Sequence, residues 1–413
     1  MSQYFCRLVA VAAITLGTVC AAHAQRPAYT FIKIAEEAPG SVLRISDATF
    51  PSVSSDGRVA FFATTRTGNV EGIYTGTGAD TPIAVAEAAG GFVGIGPRLA
   101  ISPDGSRVVF SARTATGTGV YTASATVAGG SVTAIATTSG GTFSQFYDSF
   151  SPRLDNRGNV LFADTPHPVL FNAYRNIRTA PADGTGAVQT RFAGGGGISS
   201  VREGDLAVSD SGAMAFRAYR SETANRDEAI YLQSAAGGAL TAIAVNGSYT
   251  SLDINNAGSV VYGDFPVAGG VRLSRYANGP TTTLLSTNGS VFDGIGVAAI
   301  NNGGDVAFAA RFQDGRDCVL TGANAVSDAA LIEGDALFGS TIAQLNFGGN
   351  TAFNDAGQFA FSYSLTNGRY GIGLASRIGS VAVPEAATPL LMLLAGTGAV
   401  LTRRRIRSGA AAR

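Results

Sequence analysis

An all-β chain folded as a seven-bladed β-propeller, with four-stranded blades and an N-terminal strand closing the last blade, is what three features of the sequence predict. An eight-residue phrase occurs seven times, once with an extra residue, each copy is followed by further strand signals in a fixed order, and a spare strand stands before the first copy while the last copy lacks one. Internal repeats outrank the two or three domains that 413 residues would otherwise suggest.

The clearest copy is Asn354-Asp355-Ala356-Gly357-Gln358-Phe359-Ala360-Phe361. The others run from Ser54 to Phe61, Ser102 to Phe110, Asp155 to Phe162, Ser209 to Phe216, Asn255 to Tyr262 and Asn301 to Phe308. Their glycines are Gly57, Gly105, Gly158, Gly212, Gly258, Gly304 and Gly357, with intervals of 48, 53, 54, 46, 46 and 53 residues. A propeller blade occupies roughly 40–50 residues, so each interval is one blade. Asn, Asp or Ser opens a tight turn by bonding its side chain to nearby backbone, and glycine takes the positive φ that follows. The phrase is therefore a hairpin corner leading into a strand such as Val59-Ala60-Phe61.

Two further strand signals follow most corners. The first is a short apolar run, as in Gly72-Ile73-Tyr74, Gly119-Val120-Tyr121 and Ala229-Ile230-Tyr231; the second alternates, as in Val132-Thr133-Ala134-Ile135 and Leu240-Thr241-Ala242-Ile243. With the strand entering each corner, such as Leu99-Ala100-Ile101, a blade has four strands, called A to D in chain order. Around Asn172 to Phe192 the C and D signals are weak. Blade seven has no D strand of its own before the tail, whereas Tyr29 to Ala35 reads as a D strand without a blade. Ring closure by this strand leaves only short, protected edges.

Composition agrees with a turn-rich β body. Glycine supplies 54 of 413 residues and charged residues 14%, against ordinary values of about 7% and 25%. Net charge is zero and lysine is almost absent, so there is no electrostatic footprint for nucleic acid.

The ends carry addresses. Arg7, an apolar run from Leu8 to Val19 and the small-x-small triplet Ala22-His23-Ala24 predict a signal peptide over 1–24, cleaved between Ala24 and Gln25. Cleavage leaves Cys318 as the sole cysteine, which reads as a buried small side chain in strand C of blade six. The propeller then spans 25–380 and a tail spans 381–413. In the tail, Val383-Pro384-Glu385 precedes an apolar stretch over 386–401 and a cluster containing Arg403, Arg404 and Arg405. Sixteen helical residues rise about 24 Å, short of a hydrocarbon core of ~30 Å, and flanking arginines extend that reach by snorkelling. Arginines after the apolar stretch belong on the cytoplasmic side of the inner membrane, leaving the body outside.

A Pro-Glu step, a short apolar helix and a terminal Arg cluster resemble the PEP-CTERM sorting signal, with Ala386 where the usual pattern has a second proline. That resemblance implies processing by an exosortase-type machinery in bacteria that make extracellular polysaccharide. The repeats over 29–375 resemble those of the NxxGxxAF tandem-repeat proteins with interchangeable C-terminal anchors. The corner Ser102-Pro103-Asp104-Gly105 is also similar to the blades of TolB-type propellers. Neither resemblance implies a settled activity.

No catalytic set emerges from the sequence. His167 is the only histidine after signal removal, which excludes a multi-histidine zinc site and leaves a Ser-His-Asp triad only if His167 serves it. No nucleophile elbow or phosphate-binding loop is present. Corner acids Asp56, Asp104, Asp155, Asp210 and Asp355 do not match a calcium-loop spacing and read as turn formers; no metal or other cofactor is expected. The variable D-to-A loops are the natural place for specificity. The loop from Thr142 to Phe150 sets Tyr147 and Asp148, with Arg153 close behind, where they can stack on and hydrogen-bond a sugar. The recurring aromatic of these loops, Phe92, Phe143, Tyr249, Phe292 or Phe338, reads as packing. The expectation is an exported, non-enzymatic propeller at the cell surface or matrix that binds or organises extracellular polysaccharide or a surface protein. Its rival is a polysaccharide hydrolase or lyase with two carboxylates at the channel mouth, for which Asp148, Asp164, Glu203 and Asp205 are candidates.

Overall fold

In a computed structural model the chain is described over 26–378, apart from 47–48, 79–80, 89–90, 141–142, 144–150, 165–172, 175, 196, 221–226, 235–236, 267–268 and 326. At 173–174 and 203–205 only the backbone is described. The strands form seven antiparallel sheets, one per repeat. Blade two shows the plan: Phe92–Ile101 is strand A, Arg107–Thr114 strand B, Gly117–Ser124 strand C and Thr133–Thr137 strand D. Each A strand leads to its corner, so the seven corners share one face of the ring, called here the corner face. The B-to-C and D-to-A loops share the opposite face. Inner strands of neighbouring blades pack in succession, and blade seven packs on blade one through Ser52–Val53.

Blade three has ordinary C and D strands, Asn176–Pro181 and Gln189–Ala193, despite its weak sequence signals. The N-terminal strand Tyr29–Glu37 pairs antiparallel with strand C of blade seven, Tyr370–Arg377, from Tyr29 opposite Arg377 to Glu37 opposite Tyr370. The spare strand therefore closes the ring. Three sheets also gain a two-residue strand: Leu43–Arg44 on blade one, Ala173–Tyr174 on blade four and Ala336–Leu337 on blade seven. These come from loop segments that find free backbone edge beside an inner strand, a long-range pairing with no local sequence signal.

The corner works as its chemistry requires. All seven corner glycines have positive φ, between 68° at Gly105 and 87° at Gly304. In blade five, Asn255 Oδ1 accepts the N–H groups of Ala257 and Ser259 at 3.1 and 3.0 Å, closing its own turn. Asn255 Nδ2 donates to the carbonyl of Asn301, the equivalent residue in the next corner, at 3.1 Å. Asn301 repeats the contact to the carbonyl of Asn354 at 3.5 Å, and Asn354 donates to the carbonyl of Ser54 at 2.8 Å. One amide thus closes a turn and clasps the next blade. Ser54, Ser102, Asp155 and Ser209 accept their own turn N–H groups. At the first two seams, Thr75 and Thr122 on strand C donate to the carbonyls of Ala125 and Ala182, each at 2.6 Å. At the third, Arg191 donates to the Gly212 carbonyl at 3.0 Å.

Aromatic rings stack along the blades, and at the third seam Phe192 meets Phe216 of the next blade with centroids 5.1 Å apart. Phe61, Phe110 and Phe216, each on strand B, stack on Tyr74, Tyr121 and Tyr231 of strand C with interplanar angles near 25°. Glycine makes room for such rings: a Cβ on Gly373 would lie 2.4 Å from the Phe361 ring, and one on Gly371 equally close to Tyr363. The recurring loop aromatics join these stacks, Phe92 against Tyr121, Phe143 against Phe162, Tyr249 against Tyr262, Phe292 against Phe312 and Phe338 against Tyr363. Cys318 is buried and donates to the Ala310 carbonyl at 3.3 Å, and burial pushes its thiol up to about 12.

Removing residues 25–36 takes away the strand that covers Tyr370–Arg377. The shortened chain is expected to unfold or to oligomerise through the bared edge; a monomer with unchanged thermal melting would contradict this closure.

Candidate functional site

The central channel opens on the corner face and encloses about 100 Å³. Its collar is apolar because the last inner residue of every blade turns toward the axis: Val53, Ile101, Leu154, Val208, Ile254 and Ile300, with Phe353 from blade seven. Outside the collar stands a polar arc made by the second residue of the corners in blades four to seven, Asp210, Asn256, Asn302 and Asp355. Asn256 Oδ1 accepts the Ser211 N–H, Asn302 Oδ1 accepts the Asn256 N–H, and Asp355 Oδ1 accepts the Asn302 N–H, each at 2.8 Å. The arc is a second interblade ladder outside the first.

Two carboxylates meet in this arc. Asn302 Nδ2 donates to Asp210 Oδ2 at 2.7 Å and to Asp355 Oδ2 at 2.8 Å. Oxygens sharing one nitrogen at those distances lie at most 5.5 Å apart, nearer than the wide gap of inverting glycoside hydrolases and no farther than the roughly 5–5.5 Å of retaining ones. Here, however, both are occupied by the same amide, and Asp210 also accepts from Asn256 Nδ2 at 3.2 Å.

Inside the collar the channel is bridged. Arg153 sits on the wall at blade three, 6% exposed, and its Nη2 donates to Asn350 Oδ1 at 2.7 Å. Asn350 comes from blade seven, and its Nδ2 donates to the Leu252 carbonyl of blade five at 3.1 Å and the Leu206 carbonyl of blade four at 3.5 Å. One amide therefore ties four blades together across the axis. Asp253 lies on the same wall, buried, with Oδ2 accepting the Ile300 N–H at 2.8 Å. Burial pushes its carboxyl up to about 8, against the pull of the Ile300 and Ile254 N–H groups and of the Arg153 guanidinium.

Of the residues singled out in the sequence, Arg153 is in the channel rather than in a surface loop. Tyr147, Asp148 and His167 lie outside the described residues, as do Ala24, Gln25, Pro384, Glu385, Arg403, Arg404 and Arg405. Asp164 is described and is not available as a catalytic acid: it is buried, accepting from Asn176 Nδ2 at 2.7 Å and Arg178 Nε at 2.9 Å. The side chains of Glu203 and Asp205 lie outside the description. The pair Asp210 and Asp355 and the bridge through Asn350 escaped the sequence reading, although the second corner position marks the former. Among the described residues no cluster of three or more His, Cys, Asp or Glu side chains is placed to hold a metal, and no helix is long and apolar enough to cross a membrane.

No family model and no curated protein matches the chain. Solved structures do. A prolyl endopeptidase, from a structural and mechanistic analysis of two such enzymes, is similar at 13% identity and a TM-score of 0.52, over 80% of this chain and 46% of that one. An acylaminoacyl peptidase in complex with Z-Gly-Gly-Phe-chloromethyl ketone gives 11% and 0.48, over 78% and 51%. TolB from Acinetobacter baumannii gives 13% and 0.42, over 78% and 64%. The chain thus spans about half the length of the endopeptidase it matches. A likeness at such identity concerns the fold alone, and the class it accompanies is the one the seven sheets define, a seven-bladed β-propeller.

The raised Asp253 acidity gives a signed expectation. In the folded chain the carboxyl keeps its proton up to about pH 8, whereas unfolded it ionises near 3.8. Folding therefore takes up a proton between those values, and this contribution to stability falls as pH rises, by up to roughly 1.4 kcal/mol per pH unit for one group. Asp253→Asn keeps an acceptor for Ile300 and removes the titration. Its melting temperature relative to the parent should climb steadily from pH 5 to pH 8; parallel curves would contradict the assignment.

Proposed function

We propose that the chain is an exported, non-enzymatic propeller that binds or organises extracellular polysaccharide or a surface protein, and that its PEP-CTERM-like tail hands it to exosortase-type sorting machinery at the inner membrane, with the cell surface or matrix as its destination. The observation that carries the non-enzymatic part is the state of the channel. Its polar groups are committed to one another: Arg153 to Asn350, Asn350 to backbone of two further blades, and both mouth carboxylates to Asn302. Such bonds hold a scaffold rigid, and a rigid scaffold leaves recognition to its variable loops. Tyr147 and Asp148 in the D-to-A loop of blade three remain the proposed sugar contacts, with Arg153 anchoring the base of that loop from the channel wall. The address rests on the signal peptide, the tail and the resemblance of the repeats.

A second reading has its own observation. Asp210 and Asp355 converge at the mouth, with oxygens no farther apart than the roughly 5–5.5 Å of a retaining hydrolase. Release of Asn302 by an incoming sugar would free them as acid and nucleophile.

Purified residues 25–380, incubated with the producing organism's own polysaccharide, separate the two by co-sedimentation and polymer length read together. Binding at constant length supports the platform. Shortening that disappears in Asp355→Asn establishes the hydrolase, and failure to bind polysaccharide while a surface protein is retained moves the ligand to the second partner class.

A further inference from the structure

The two ends of the propeller leave it side by side. Strand C of blade seven ends at Arg377, and its register places Ala375 opposite Phe359, the first residue of strand B just past the corner. Arg377 is therefore level with the corner face. Tyr29 is opposite Arg377, and the Ile378 N–H donates to the Ala28 carbonyl at 2.8 Å, which extends the pairing past both strand ends. The chain before 28 and after 378 thus departs from one point on the rim of the corner face.

The linker from this point to the apolar stretch is short. Residues 379–385 number seven, for a greatest reach of about 25 Å when fully extended and a relaxed span nearer 15 Å. The opposite face lies one strand away from the exit. Tyr370–Arg377 has eight residues, or about 26 Å at a strand's rise. Turning the opposite face onto the bilayer would demand a fully stretched linker, whereas the corner face reaches it with the linker relaxed.

We infer that, while the tail is in place, the corner face with its channel mouth is turned toward the membrane and the face carrying the B-to-C and D-to-A loops points away from it, so that a polysaccharide chain is captured on the latter. This rests on the tail anchoring proposed above and deepens it by assigning the ligand to one face. A retained N-terminal segment gives the same orientation, since it departs from the same point. The mouth carboxylates Asp210 and Asp355 then face lipid headgroups across a narrow gap, a position that shields them from a polysaccharide chain until the tail is removed.

The test labels residues 25–413 at single cysteines, with the N-terminal segment left out so that the tail alone can anchor. Cys318, the cysteine that remains, is buried, which leaves a quiet background. Ala323→Cys places a fluorophore in the exposed C-to-D loop of blade six on the corner face, and Asn367→Cys places one in the exposed B-to-C turn of blade seven on the opposite face. The proteins are reconstituted in phosphatidylcholine vesicles containing headgroup spin-labelled lipid. Quenching at 323 at least threefold stronger than at 367, and lost when twenty Gly-Ser residues are inserted after Ser380, is expected. Equal or stronger quenching at 367 overturns the orientation while leaving the anchoring intact. Vesicle-bound protein is recovered by flotation, and failure to float removes the anchoring itself and with it this inference.

Discussion

The side-chain amide of the corner asparagine is the contact on which the ring depends. A turn needs an acceptor for the N–H groups it leaves open, and a ring of blades needs a donor aimed across each seam. Asn255, Asn301 and Asn354 carry both on one planar group: Oδ1 turned inward to the residue's own corner and Nδ2 outward to the next. At the closing seam this donor reaches the Ser54 carbonyl, so blade seven is held to blade one on the inside by a corner and on the outside by a borrowed strand. Serine and aspartate side chains perform only the first half of the task, and the first three seams use Thr75, Thr122 and Arg191 for the second, with a backbone bond from the Ser55 N–H to the Pro103 carbonyl at 2.8 Å added at the first. The ring is therefore asymmetric, with its corner ladders concentrated in blades four to seven.

That asymmetry shapes the channel. The arc from Asp210 to Asp355 follows the half of the ring in which side chains of the second corner residues bond to a neighbouring corner, and the bridge from Arg153 through Asn350 crosses to it from the other half. A buried polar bridge is costly unless satisfied, and here an amide offers donor and acceptor to three separate blades. Asp253 is a wall group whose environment opposes its ordinary charge. The bonds of this bridge tie blades three, four, five and seven across the axis.

Much of this fold was legible because its signals are local. A turn residue, a glycine at fixed offset and a β-branched or aromatic run lie within eight residues, and each of the seven corner glycines takes the positive φ its position demanded. The spare strand was legible by counting, since one repeat lacked what the N-terminus offered. The loop aromatics read as packing are found in the stacks. What stayed hidden depends on which residues meet across blades. Arg153 looked like part of a surface loop because it follows an aromatic run, yet it is the penultimate residue of an inner strand and faces the axis. Asp164 looked free because its partners Asn176 and Arg178 come from the next strand of a blade with weak signals. Nothing near Asn350 in sequence marks it as a bridge, since its partners are 98 to 197 residues away.

The most direct measurement replaces Asn354 by aspartate and follows urea unfolding. Aspartate keeps the acceptor that closes the corner, as Asp155 does in blade three, and removes the donor that reaches both the Ser54 carbonyl and Gln358 Oε1, so the change is read in a Gln358→Ala background, where only the bond to Ser54 is left to lose. If the clasp holds the ring, Asn354→Asp loses about 1–3 kcal/mol and Asn354→Ala, which lacks the turn acceptor as well, loses more. Stability unchanged in the aspartate variant would show that the corner asparagine serves its own turn alone.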